Sequence, residues 1–267
     1  MQVQGKNVWI TGASSGIGEA CAKAFAAKGC SLVLSARNEK KLEDVKKLCK
    51  GAPTVHILPM DVEKHDEIES KTKEAIVLLG HIDVFVNNAG ITQRSTVLES
   101  SLSLDKKIMD VNFFGNVGIS RAILPHMIER KSGAIVVTSS VAGKMGPPLR
   151  CAYAASKHAL HGWYDTLRGE VASQGVQVNV VCPGYIKTDI SINALSGDGS
   201  KHGTMDKGQA EGVSAEKCAA HFVKAVEKDL KESYIGGKEV QFVKIRRFFP
   251  NIYFNMLEKM ATKAVQK

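Results

Sequence analysis

The run "NVWITG", residues 7–12, passes directly into "ASSGIGEACAKAF", residues 13–25. An apolar, β-branched segment is thus followed by a glycine-broken turn and then by helical spacing, with Ile17, Cys21, Ala24 and Phe25 on one face. A chain that turns from strand to helix so abruptly has few options. The helix folds back over the strand, and the next parallel strand lies beside the first. The pattern then repeats. "SLVLSAR", "TVHILPMDV", "IDVFVNNAG", "GAIVVTSS" and "VQVNVVCPG" are further strand candidates, apolar as strands covered on both faces must be. Helical stretches separate them; in residues 151–174, Ala155, Ala159, Leu160, Trp163, Leu167 and Val171 form a stripe. The expected class is α/β, a doubly wound parallel sheet in a three-layer α/β/α sandwich. No linker or repeat divides the 267 residues, so a single domain over 1–267 is expected. Residues 193–212, "NALSGDGSKHGTMDKGQAEG", read as a long polar loop near a substrate.

Gly12, Gly16 and Gly18 stand at the first strand-to-helix turn, with Ser14, Ser15 and Ile17 among them. Glycine lets a pyrophosphate approach the backbone, and the helix that follows offers unpaired N–H groups and a positive dipole end. The alternative is a plain turn in which a serine caps the helix. The spacing is Gly-x-x-x-Gly-x-Gly, not the Gly-x-Gly-x-x-Gly of the common dinucleotide fingerprint. The second strand ends in Ala36 and Arg37, where an NAD site would carry an acidic residue for the ribose 2′-hydroxyl. A guanidinium suits a 2′-phosphate, which points to NADP(H) over NAD(H); the alternative is a solvated arginine. Asp61, with Val62 after it, is placed either to reach the adenine edge or to cap the next helix.

Ser140 ends a strand candidate thirteen residues before Tyr153, and Tyr153 and Lys157 are one helical turn apart. A second Tyr-x-x-x-Lys pair, Tyr234 and Lys238, spans Gly236-Gly237 and is not expected to be helical. A tyrosine titrates near ~10. An ammonium at about 4 Å, at an effective dielectric of ~20, attracts the phenolate by ~4 kcal/mol before desolvation. Lys157 is therefore expected to lower the Tyr153 pKa.

Taken together, "TGASSGIG", "DV" at 61–62, "NNAG" at 87–90, Asn112, "TSS" at 138–140, "YAASK" at 153–157 and "PGYIKT" at 183–188 resemble the short-chain dehydrogenase/reductase family in order and spacing over residues 5–190. "YAASKHAL" and "PGYIKTDISINA" are similar to its dehydrogenase/reductase member-seven subgroup. The resemblance implies a Rossmann-type fold and an oxidoreductase that moves hydride between NADP(H) and a carbonyl or alcohol. It implies that Asn88, Ala89, Gly90, Pro183, Gly184, Ile186 and Thr188 hold the cofactor, with Ile186 and Thr188 at the nicotinamide carboxamide. Tyr153 is then the general acid or base, Lys157 a ribose ligand, Ser140 the residue that orients the substrate oxygen, and Asn112 the holder of a water in a proton relay. A homodimer or homotetramer built on helices in 101–130 and 151–174 is also implied.

Met145, Pro147, Pro148 and Leu149 beside this set suggest an apolar pocket and hence a lipophilic substrate; the alternative is that they pack the lid. Net charge is +9, but residues 238–267 hold seven basic residues against two acidic ones and so carry +5 of it; a nucleic-acid face is not expected. The tail 248–267 is amphipathic, with Ile252, Tyr253, Met256, Leu257, Met260 and Ala264 in a stripe. It reads as packing over the pocket or on a partner subunit, with peripheral membrane contact as the rival. Cys21, Cys30, Cys49, Cys151, Cys182 and Cys218 form no Cys-x-x-Cys pair and read as reduced thiols; no metal site is indicated. There is no secretory pattern and no apolar run long enough to span a bilayer, so an intracellular location, cytoplasmic or peripheral to a membrane, is expected. Two rival functions remain open: a cofactor-binding scaffold without useful turnover, and a membrane-surface interaction protein.

Overall fold

The computed structural model describes residues 1–265; Gln266 and Lys267, the end of the expected tail, lie outside the described residues. In chain order the elements are β1 (Asn7–Thr11), α1 (Gly16–Ala26), β2 (Ser31–Ser35), α2 (Glu39–Leu48), β3 (Val55–Ile57), α3 (Ile68–Leu79), β4 (Val84–Asn87), α4 (Leu102–Met109), a π-helical turn (Asp110–Gly115), α5 (Asn116–Glu129), β5 (Gly133–Thr138), α6 (Cys151–Glu170) and β6 (Val176–Pro183). They continue as β7 (Ile186–Lys187), α7 (Lys207–Ala210), β8 (Val213–Ser214), α8 (Ala215–Glu227), β9 (Glu232–Ile235), α9 (Val240–Phe248) and α10 (Pro250–Val265).

Seven parallel strands form one sheet in the order β3-β2-β1-β4-β5-β6-β9. The order reverses between β1 and β4, where Val8 pairs with Leu32 on one side and with Val84 on the other. Helices leave the sheet in opposite directions at that switch, and a crevice opens beyond the strand ends. Alternation along β1 shows the double winding residue by residue. Val8 and Ile10 pack with Phe25 of α1, Leu42 of α2 and Phe222 of α8. Trp9, between them, packs on the other face with Phe85, Ile123 of α5 and Leu160 of α6. Its indole N–H donates to Ser35 Oγ at 2.9 Å, so the large ring is buried without an orphaned donor.

All six strand candidates form strands, though β3 keeps only three residues. The seventh strand, β9, is additional. It carries Tyr234, whose extended backbone separates it from Lys238 and removes the second Tyr-x-x-x-Lys pair as a helical motif. The expected α6 stripe is rotated. Ala155 is exposed beside Leu102 and Phe114, whereas Ser156, Lys157, Leu160, His161, Tyr164 and Leu167 are buried. The inward face is partly polar because it borders the crevice. Residues 193–212 are more ordered than a plain loop: Leu195 bridges to Gln93 and to Lys201, and α7 lies within the segment.

Candidate active site

A cleft of about 980 Å³ lies along the strand ends. Gly12 and Gly16 adopt φ of +63° and +56°, the left-handed region that favours glycine. A Cβ on Gly18 would stand 2.1 Å from the Gly12 carbonyl oxygen, so α1 starts against the turn only because that atom is missing. Ser15 occupies the N-cap of α1 but makes no side-chain capping bond. The cradle therefore fits a pyrophosphate: close backbone, an uncapped helix start and no side chain filling the space. Ser14, Ser15, Gly12, Gly16 and Ile17 line the cleft; Gly18 packs behind them.

Asn88 knits the strand ends together. Its amide donates to the Thr11 and Gly12 carbonyls at 3.1 and 3.3 Å, and its oxygen accepts from Thr138 Oγ1 at 3.1 Å. Ala89 and Gly90 follow along the cleft wall. Across it, Pro183, Gly184, Ile186 and Thr188 form the opposite lip, and the Thr188 methyl would lie 3.2 Å from a Cβ on Gly16. Asp61 and Val62 line the cleft; one Asp61 oxygen accepts from Glu63 N–H at 3.2 Å within a turn, and Glu67, not Asp61, is the N-cap of α3. Arg37 is exposed at the cleft edge and, among the described residues, has no ion-pair partner. Lys41, one helical turn on, lines the same edge and was not singled out by the sequence.

Ser140, Tyr153 and Lys157 meet in this cleft. Ser140 Oγ donates to the Pro183 carbonyl at 3.3 Å and accepts from Ala142 N–H at 3.1 Å. Burial raises the Tyr153 pKa; the Ser140 hydroxyl, then Arg94 and Arg150, act against that rise. Among the described residues Lys157 makes no hydrogen bond to the phenol. Its ammonium donates to the Thr138 carbonyl at 2.8 Å and lies 5.9 Å from the Tyr153 ring centre, and burial lowers its own pKa to about 8. The physical reason is that a buried ammonium loses more in hydration than one carbonyl returns.

Asn112 stands behind the cleft wall: a Cβ on Gly90 would lie 3.2 Å from its side-chain oxygen and 3.6 Å from Lys157 Nζ. It sits in the π-helical turn, buried, and does not line the cleft. Its amide donates to the Ile91 carbonyl at 2.9 Å and to Ser156 Oγ at 3.0 Å, and its oxygen accepts from Ile91 N–H at 2.8 Å. Both amide protons are committed, so the side chain braces the loop after β4 against α6.

Two arginines beside Tyr153 escaped the sequence reading. Arg94 Nη2 and Arg150 Nη2 both donate to Asp206 Oδ2, at 2.6 and 2.8 Å. Asp206 thus ties the 193–212 segment to the start of α6, and the arginines hold its carboxyl below the usual range. Met145, Pro147, Leu195, Phe242, Tyr253 and Leu257 add an apolar lining.

A family model described as short chain dehydrogenase matches residues 6–198. Dehydrogenase/reductase SDR family member 7B of Xenopus laevis is 39% identical over 98% of this chain and 83% of its own length. Dehydrogenase/reductase SDR family protein 7-like of Anopheles gambiae is 42% identical over 98% of this chain and 84% of its own. Among solved structures, a short chain dehydrogenase/reductase from Burkholderia phymatum in complex with NAD superposes with a TM-score of 0.83, at 24% identity over 94% of this chain and 96% of that one. An alcohol dehydrogenase from Thermococcus sibiricus complexed with 5-hydroxy-NADP gives a TM-score of 0.75, at 26% identity over 88% and 97%. With the glycine cradle, the switch-point cleft and the Ser140–Tyr153–Lys157 cluster in one crevice, these matches place the chain in the short-chain dehydrogenase family of oxidoreductases.

Proposed function

We propose that the protein is an NADP(H)-dependent reductase of a lipophilic aldehyde or ketone. The single observation that carries the reading is the convergence of Ser140, Tyr153 and Lys157 at one end of a cleft whose other end is the glycine cradle. Bound NADPH supplies the hydride; the chain supplies the rest.

Tyr153 is the acid. Its phenolic O–H protonates the carbonyl oxygen as that oxygen gains charge. Ser140, buried at the end of β5, has one hydroxyl proton; with substrate present it leaves the Pro183 carbonyl and donates to the same oxygen, fixing its direction. The Ser140 hydroxyl, while no substrate takes its proton, and Arg94 and Arg150 limit the rise that burial imposes on the phenol. Lys157, anchored on the Thr138 carbonyl, has donors left for the cofactor's ribose hydroxyls. Arg37 and Lys41 at the edge of the cradle favour a 2′-phosphate, because β2 is followed by Ala36, Arg37 and Asn38, with no carboxylate to accept from a 2′-hydroxyl. The apolar lining supports a lipophilic substrate, since a polar one would leave that surface unmatched.

NADPH and NADH oxidation against a panel of apolar and polar carbonyl compounds tests the reading. Turnover confined to NADPH and to the apolar members supports it; faster turnover with NADH contradicts the cofactor assignment.

A further inference from the structure

Packing accounts for only one side of the C-terminal helices. Tyr253 of α10 is buried against Val141 and Met145, and Leu257 packs on the same cluster. Phe248, Phe249, Ile252 and Phe254 are 71%, 60%, 55% and 42% exposed. Four large apolar side chains are thus exposed within seven residues, and such concentrations mark interaction surfaces.

The charge around the patch identifies the occupant. Lys244 and Arg247 are exposed on α9. Arg246 stacks 4.9 Å from the Phe254 ring centre, which joins the basic stretch to the aromatic one. Glu239, the acidic residue that opens α9, is turned inward: its Oε1 accepts from Tyr185 N–H at 2.7 Å and Gly237 N–H at 2.9 Å. Glu258 is exposed on α10 beside the exposed Lys259, so Lys244, Arg246 and Arg247 leave the surface around the aromatics net basic. Aromatic side chains flanked by arginine and lysine on a helix with a separately packed face suit a bilayer interface with anionic headgroups. A second copy of the chain would bring the same positive charge to the contact and be repelled by it. No helix among the described residues is long and apolar enough to cross a membrane, so the contact is peripheral.

We propose that the exposed face of α9 and α10 docks the protein onto an anionic lipid bilayer surface. Phe248, Phe249 and Ile252 enter the headgroup region, and Lys244 and Arg247 meet lipid phosphates and carboxylates. The helix that docks also walls the cleft, through Tyr253, Met256, Leu257 and Met260. A lipophilic substrate dissolved in the bilayer is thereby brought to the cleft's own wall.

The test is sedimentation of the full chain with phosphatidylcholine vesicles, with and without about a third phosphatidylserine. The expected result is binding to the anionic vesicles that weakens as salt rises. Phe248→Ser with Phe249→Ser should lower it roughly tenfold or more. Lys244→Ala with Arg247→Ala should lower it roughly 30-fold, about fivefold per basic residue. Circular dichroism and NADPH binding of each variant, unchanged because these side chains are exposed, establish that it is folded. Three outcomes overturn the proposal: no sedimentation with anionic vesicles, aromatic variants that bind as tightly as the parent, or a dimer in solution that the aromatic variants dissociate. None of these bears on NADPH turnover, so docking and reductase activity fail separately.

Discussion

The Lys157 ammonium lies 5.9 Å from the centre of the Tyr153 ring and donates its resolved hydrogen bond, 2.8 Å long, to the Thr138 carbonyl. It is buried, and its pKa falls from 10.5 to about 8. The folded chain thus disfavours the charged form that the unfolded chain carries. That cost is complete below pH 8 and fades as pH rises toward 10.5, so this group makes stability rise with pH across that window. Lys157→Met should raise stability at pH 7 by about 1–3 kcal/mol, the lost Thr138 bond included, while abolishing turnover. Melting curves check this: the variant's advantage should shrink between pH 7 and pH 10.

Gly18→Ala places a methyl 2.1 Å from the Gly12 carbonyl oxygen. Backbone on both sides cannot yield cheaply. The substitution should cost about 1–3 kcal/mol and displace the cradle. A lower urea midpoint together with at least tenfold weaker NADPH binding is expected; an unchanged midpoint would show that the turn is not packed as described.

Arg37 has no ion-pair partner among the described residues, so removing it leaves no orphaned charge. Arg37→Ala should weaken NADPH binding about 10- to 100-fold, the loss of one or two charge-assisted hydrogen bonds, and leave NADH unchanged. Fluorescence titration of both cofactors reads the ratio. An unchanged ratio would remove Arg37 from the 2′-phosphate.

Much of this architecture is legible along the chain, because each β-α unit is local. Hydrophobic runs mark β1, β2, β4, β5 and β6, and the glycine turn announces the cradle. What escapes is what sequence distance hides. β9 is four residues with Glu232 and Ser233 at its start, too short and polar to stand out, and it forms because β6 offers a free edge. Arg94, Arg150 and Asp206 are 56 to 112 residues apart and share no local pattern. Asn112 lies in a π-helical turn, whose irregular winding brings its amide to Ile91, a contact that no local pattern announces. The α6 stripe was assigned by hydrophobicity, whereas the inward face holds Ser156, Lys157 and His161 because it borders polar space.

The Asp206 tie yields a sharper prediction. Asp206 balances the two arginines whose positive charge lowers the Tyr153 pKa. Asp206→Asn keeps the shape and removes the negative charge. The phenol should then ionise at lower pH, and the basic limb of the reduction profile should move to lower pH. A higher KM should accompany it as the 193–212 segment loosens. A profile that does not move would mean that the arginines do not act on Tyr153.

The central claim is that the Tyr153 phenol is the proton donor in an NADPH-dependent reduction. The most direct measurement is single-turnover oxidation of bound NADPH by an active carbonyl substrate, in the parent chain and in Tyr153→Phe. The ring is kept, so the cleft and cofactor affinity are preserved while the proton is removed. The account predicts unchanged NADPH binding and hydride transfer slower by about 10²- to 10⁴-fold. A phenylalanine variant that oxidises NADPH as fast as the parent would contradict it.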